Sequence, residues 1–190
     1  ALRNNVSGDC TAVGSYALAL STDGGQNTAI GYAAGYNLTT GDNNVFVGIR
    51  AAYNQTTANL NTCVGREAGY NLTTGHSQTF LGNAAGYYVT TGTDNVFIGY
   101  NAAAYSSHTT TGGQNISIGN YSRVGNSDRS IVLGYNIAGA GSDTFKVRAS
   151  SGSFQSDNSS SWSTTSDRRI KKNIVNNNSG INLLEKIQIR

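Results

Sequence analysis

The chain has 190 residues, 37% of them hydrophobic and 12% charged, with 24 glycines and neither proline nor methionine. So little apolar material excludes one thick globular core, and so little charge is unlike the self-repelling composition of a disordered chain. The net charge of +3 is too small to imply a nucleic-acid partner, and no run approaches the roughly 20 apolar residues of a membrane-spanning helix.

Residues 1–8 form a short lead-in with neither an initiator methionine nor a signal peptide, as expected of a processed or partial chain. Residues 9–141 then repeat. Gly14, Gly31, Gly48, Gly65, Gly82 and Gly99 stand 17 residues apart, and Gly119 and Gly134 follow at intervals of 20 and 15. A fixed period of this length predicts one structural unit stacked on copies of itself. Before each anchor glycine stands a short β-branched run: T-A-V, T-A-I, V-F-V, T-C-V, T-F-L, V-F-I, I-S-I and I-V-L. Such runs favour strands. The fold class expected is therefore all-β, a parallel β-solenoid or β-roll of 17-residue repeats.

Within one repeat, N-T-A-I-G-Y-A-A-G-Y-N-L-T-T-G-D-N, alanine recurs three residues after the anchor (Ala17, Ala34, Ala51, Ala68, Ala85, Ala102). Tyrosine recurs at five (Tyr36, Tyr53, Tyr70, Tyr87), and Leu38, Leu72 and Val89 at seven. This spacing of two predicts a second strand in each unit. The T-T-G segments at Gly41, Gly75, Gly92 and Gly112 supply the second corner. Asparagine four before the anchor (Asn27, Asn44, Asn61, Asn95, Asn115, with Gln78 substituted) predicts amides hydrogen-bonding along the stack. The surplus residues before Gly119 fall in Tyr105 to Thr111, where a loop can bulge without disturbing the coils.

Phe46, Phe80 and Phe97, two before their glycines, alternate with the branched residues and predict an apolar outer face. Both faces of the strand then want burial, which one thin coil cannot provide. A bundle of parallel coils about a shared axis can, and three copies are expected. Cys10 and Cys63 lie three repeats apart, about 14 Å along a stack with ~4.8 Å between strands, too far for a bridge between them. His76 and His108 occupy unrelated repeat positions. No cofactor and no metal is expected.

The N-x-A-I-G, A-x-G and turn pattern over residues 9–141 resembles the left-handed parallel β-roll of YadA-type trimeric adhesin heads. It is similar also to the glycine-rich repeats of phage and other viral tail fibres. The resemblance implies a homotrimeric fibre that presents receptor-binding surfaces at a virion surface or outside the cell. Its implied partners are its own copies, other virion or fibre proteins, and a host surface glycan or receptor. A cellular trimeric adhesin or extracellular filament subunit is the alternative.

From Ser142 the period stops, and residues 142–165 read as a serine-rich connector with Trp162 inside it. Residues 166–190 follow. W-S-T-T-S-D-R-R-I-K-K-N-I, residues 162–174, resembles the opening of the endosialidase-type intramolecular chaperone, a self-cleaving C-terminal domain of phage tail spikes and fibres. That resemblance implies a cleavage motif at Ser166 and Asp167, with Lys171 as the partner of the serine, and a single turnover of autoproteolysis rather than an enzyme's cycle. A desolvated lysine is neutral enough to take a hydroxyl proton. Ile181, Leu184 and Ile187 then recur at helical spacing, so a short C-terminal helix is expected. Only 24 residues follow Ser166, fewer than such a domain needs. The basic run Arg168, Arg169, Lys171 and Lys172 is absorbed by the same motif.

Overall fold

A computed structural model of the chain describes residues 1–2, 9–104, 111–149 and 152–156. Ten strands follow one another: β1 (Thr11–Val13), β2 (Thr28–Ile30), β3 (Val45–Val47), β4 (Thr62–Val64), β5 (Thr79–Leu81), β6 (Val96–Ile98), β7 (Ile116–Ile118), β8 (Ile131–Leu133), β9 (Phe145–Ala149) and β10 (Gly152–Ser156). They form a single sheet in sequence order. The first nine are parallel, so the chain winds through about eight turns of a β-solenoid. β10 alone runs antiparallel, folding back on β9. Among the described residues there is no helix.

The register follows the anchor glycines. Thr11 pairs with Thr28, Thr28 with Val45 and Thr79 with Val96; the longer and shorter intervals are absorbed as Val96 with Ile116 and Ile116 with Ile131. The anchors themselves adopt φ between 122° and 139° and stack directly, carbonyl over α-carbon. That corner admits no side chain.

Two sequence expectations are corrected. Phe46, Phe80 and Phe97 do not face outward: the middle residue of each strand points into the coil, and all three rings are fully buried. The branched residues on either side of them form the outer face instead. The physical reason is volume, since the alanines and glycines opposite leave a hollow that a phenyl ring fills. Gly86 packs so closely on Phe80 that a β-carbon there would lie 2.7 Å from the ring.

The second correction concerns the stretch after the anchor, which forms tight turns rather than a strand. Ala33 and Gly35 take left-handed conformations (φ 54° and 61°), which curl the chain sharply. Their amides still find partners on neighbouring coils, Ala33 N donating to Ser15 O (2.8 Å) and Gly35 N to Ala51 O (2.9 Å). Backbone pairing along the axis is thus kept without strand geometry.

The core is one side chain deep. Leu18, Leu38, Leu72 and Val89 close it, the alanine row lies beneath them, and the Phe80 and Phe97 rings stack at 5.2 Å. Polar groups inside are satisfied by the asparagine row. Asn27 Oδ1 accepts from Asn44 N (2.9 Å), Asn44 Oδ1 from Asn61 N (3.0 Å), and Asn61 Oδ1 from Gln78 N (2.9 Å). Each amide also donates to a corner carbonyl on the next coil, Asn27 to Gly41 (2.7 Å) and Asn61 to Gly75 (2.9 Å). One residue type thereby ties the T-T-G corners and the strand starts to successive coils.

Candidate functional site

The outer face of the sheet is built from two rows. Thr11, Thr28, Val45, Thr62, Thr79, Val96, Ile116 and Ile131 make one; Val13, Ile30, Val47, Val64, Leu81, Ile98, Ile118 and Leu133 make the other. No residue in either row is charged. Parallel pairing in constant register sets branched side chain beside branched side chain, so the face is an uncharged strip of methyl groups with four threonine hydroxyls along one row. Val13 is 56% exposed and Ile30 41%. Eight three-residue strands give a strip about 38 Å long and 10 Å wide. That area, about 380 Å², is the size at which an exposed apolar patch is commonly a contact site.

Around the corner stands a second ordered surface. The rings of Tyr36, Tyr53, Tyr70 and Tyr87 stack face to face, with centroids 5.1, 5.3 and 5.1 Å apart and planes within 11° of parallel. They are half-buried, not strand-packed within the core. Arg50 lies over the Tyr70 ring at 5.8 Å and pairs with Glu67 at 2.9 Å. Burial, with the Glu67 carboxylate next in importance, pushes the Tyr87 hydroxyl above its ordinary pKa. Beside this stack, Asn37 donates to Asn54 and Asn54 to Asn71, each at 3.3 Å. The Thr39 and Thr73 hydroxyls donate to the carbonyls of Thr56 and Thr90, both at 3.0 Å.

At the end of the tyrosine stack an open groove of about 290 Å³ is bordered by Tyr87, Tyr88 and Tyr100. Sequence reasoning missed it. The signal was present: Tyr88 breaks the row Asn37, Asn54, Asn71, and Ala104 breaks the tyrosine row.

Cys63 sits at the core position held elsewhere by phenylalanine, and burial pushes its thiol pKa up, so no nucleophile is offered there. Cys10 donates its thiol to Gly24 O (3.2 Å), and the two cysteines are not bridged to each other. Among the described residues no cluster of His, Cys, Asp or Glu is placed to hold a metal, and no helix is long and apolar enough to cross a membrane. Of the sequence-derived site residues, the structure places the eight anchor glycines in one column. Ser166, Asp167, Lys171 and the expected C-terminal helix lie outside the described residues. No known protein family, curated protein or solved structure matches this chain.

Proposed function

We propose that the chain is a rod-forming, adhesive subunit of a viral tail or surface fibre, in which three copies pack through their outer sheet faces. The uncharged double row of branched side chains carries this reading. On an isolated coil it would leave methyl groups in water along the whole length of the sheet, at roughly 25 cal/mol for each Å². In a parallel bundle every coil meets its counterparts at the same height, because all share one rung spacing and one seventeen-residue unit. A flat strip then covers a flat strip, and the closed assembly leaves no such face for further addition.

The C-terminal motif belongs to the same proposal. Lys171 takes the Ser166 hydroxyl proton, and Oγ attacks the Thr165 carbonyl carbon. The amide nitrogen takes back from Lys171 the proton lost by the hydroxyl and leaves as the α-amine of Ser166, and water hydrolyses the resulting ester to the Thr165 carboxylate and the free Ser166 hydroxyl. The step separates a folding module from the finished rod.

Sedimentation equilibrium tests the assembly. The expected mass is three chains, and Val64→Lys combined with Ile98→Lys should yield a β-rich monomer, since both lysines reach solvent without entering the core. A wild-type monomer that stays soluble overturns the fibre reading. Cleavage is tested separately by intact mass of the natural gene product with and without Ser166→Ala.

A further inference from the structure

The groove at the end of the tyrosine stack arises from two interruptions of the repeat. Four stacked rings advance one per coil as far as Tyr87, and the next position in that row is Ala104. In the neighbouring row an asparagine is replaced by Tyr88, whose ring meets Tyr87 edge-on at 4.9 Å. The replacement of a ring by a methyl group opens the space; the added tyrosine walls it. Tyr100 closes the far side. Tyr88 and Tyr100 are 37% and 44% exposed; Tyr100 meets Tyr121 edge-on at 5.3 Å on one side, and each ring keeps part of its surface open to the groove.

Apart from Ala84 and Ala104 the rest of the lining is polar. Asn83 and Asn101 border the groove with Glu67, whose carboxylate is matched by Arg50 (2.9 Å) and Arg66 (3.4 Å). The charged residues of the lining itself, Arg66 and Glu67, are one of each sign and already paired, so the site offers aromatic surface and amide donors and acceptors. A charged ligand gains little from it, and a purely apolar one would strand the amides and the ion pair without water. A pyranose satisfies both halves: its C–H face packs on a phenol ring while its hydroxyls meet the amides and the carboxylate.

We propose that this groove binds a neutral saccharide. The biological use of the site rests on the reading of the rod as a surface contact fibre, whereas the binding itself needs only the coils from Arg50 to Ala104.

Saturation-transfer NMR and calorimetry on the full chain, with cellotetraose, maltotetraose, chitotetraose and β-galactotetraose as probes, supply the test. An open groove of this size should give saturable binding of at least one probe, with Kd about 1 mM. Ala104→Tyr completes the tyrosine row and fills the space, so it should abolish binding without unfolding the coils. Tyr88→Ala should weaken it about tenfold, the loss of one aromatic contact. Absence of saturable binding to all four probes, or equal binding by Ala104→Tyr and wild type, overturns the proposal. Sedimentation of the same samples keeps the two readings apart. Trimers that bind no saccharide remove only the groove, and monomers that bind one remove only the fibre.

Discussion

A β-carbon placed on Gly48 would lie 2.5 Å from the Gly65 carbonyl oxygen, at a φ of 135° that side-chain-bearing residues avoid. Neither partner can yield, because Gly65 meets Gly82 in the same way. Gly48→Ala should therefore cost about 3 kcal/mol or more, from backbone strain and collision together. Urea denaturation checks this, with Ile49→Ala, exposed and next in sequence, expected to lose little. The buried asparagines fail differently. Asn61 donates to Gln55 Oε1 and Gly75 O and accepts from Gln78 N, so Asn61→Leu fits the volume but orphans three polar groups. We expect a loss of about 2–4 kcal/mol in the same measurement, while Thr57→Val, on the exposed corner, should be near neutral.

At the scale of elements, the last parallel strand meets β10 rather than a further coil on its far side, and an ion pair fastens the turn that leads into it. Arg129 Nε and Nη2 donate to the Asp143 carboxylate at 2.5 and 2.9 Å, and Asp143 N donates to Asp128 O. These bonds fasten the turns leading into β8 and β9. The Arg129 hydrogen bonds hold the Asp143 carboxyl below its ordinary pKa. A carboxylate whose folded pKa is depressed stabilises the fold fully above the unfolded value, about 3.9, and loses that contribution as pH falls through the folded value. The β9 amides should therefore lose protection, measured against their intrinsic exchange rates, below about pH 4 before those of β3 to β6, and Arg129→Gln should bring the same fraying to neutral pH. Equal protection of β9 and β5 in Arg129→Gln would remove the fastening role. At position 146 the pattern also changes. Lys146 pairs with Val132 and so takes the register of the core row, which is consistent with a coil stack nearing its end.

For the whole molecule, the parallel strands were legible because the anchor glycine marks each of the first eight with a β-branched run before it. The direction in which those strands face was not. Val-Phe-Val and Thr-Phe-Leu are apolar throughout, so alternation gives no answer, and only the hollow above Ala34 and Gly35 decides that Phe46 turns inward. The apparent spacing of two is not a second strand because left-handed residues, announced by type at Gly35 but not at Ala33, convert it into a coil of turns. The groove was hidden for another reason: a period directs the eye to what recurs, and the site lies where two rows stop. What does recur makes a strong demand on the molecule. If each coil touches only its neighbours, stability is a sum of like terms, and one coil is dispensable while a fraction of one is not. Deleting residues 50–66 joins Ile49 to Glu67 at equivalent positions, brings Phe46 over Phe80, and leaves both rows of the outer face in phase. That protein should keep its β-sheet circular dichroism and unfold cooperatively at a somewhat lower temperature, and small-angle scattering should find the rod shorter by about 4.8 Å. Deleting residues 50–58 instead puts the anchor column of one half against the T-T-G corners of the other and should abolish cooperative unfolding. If both deletions behaved alike, the coils would not be the independent units from which the rod is assembled.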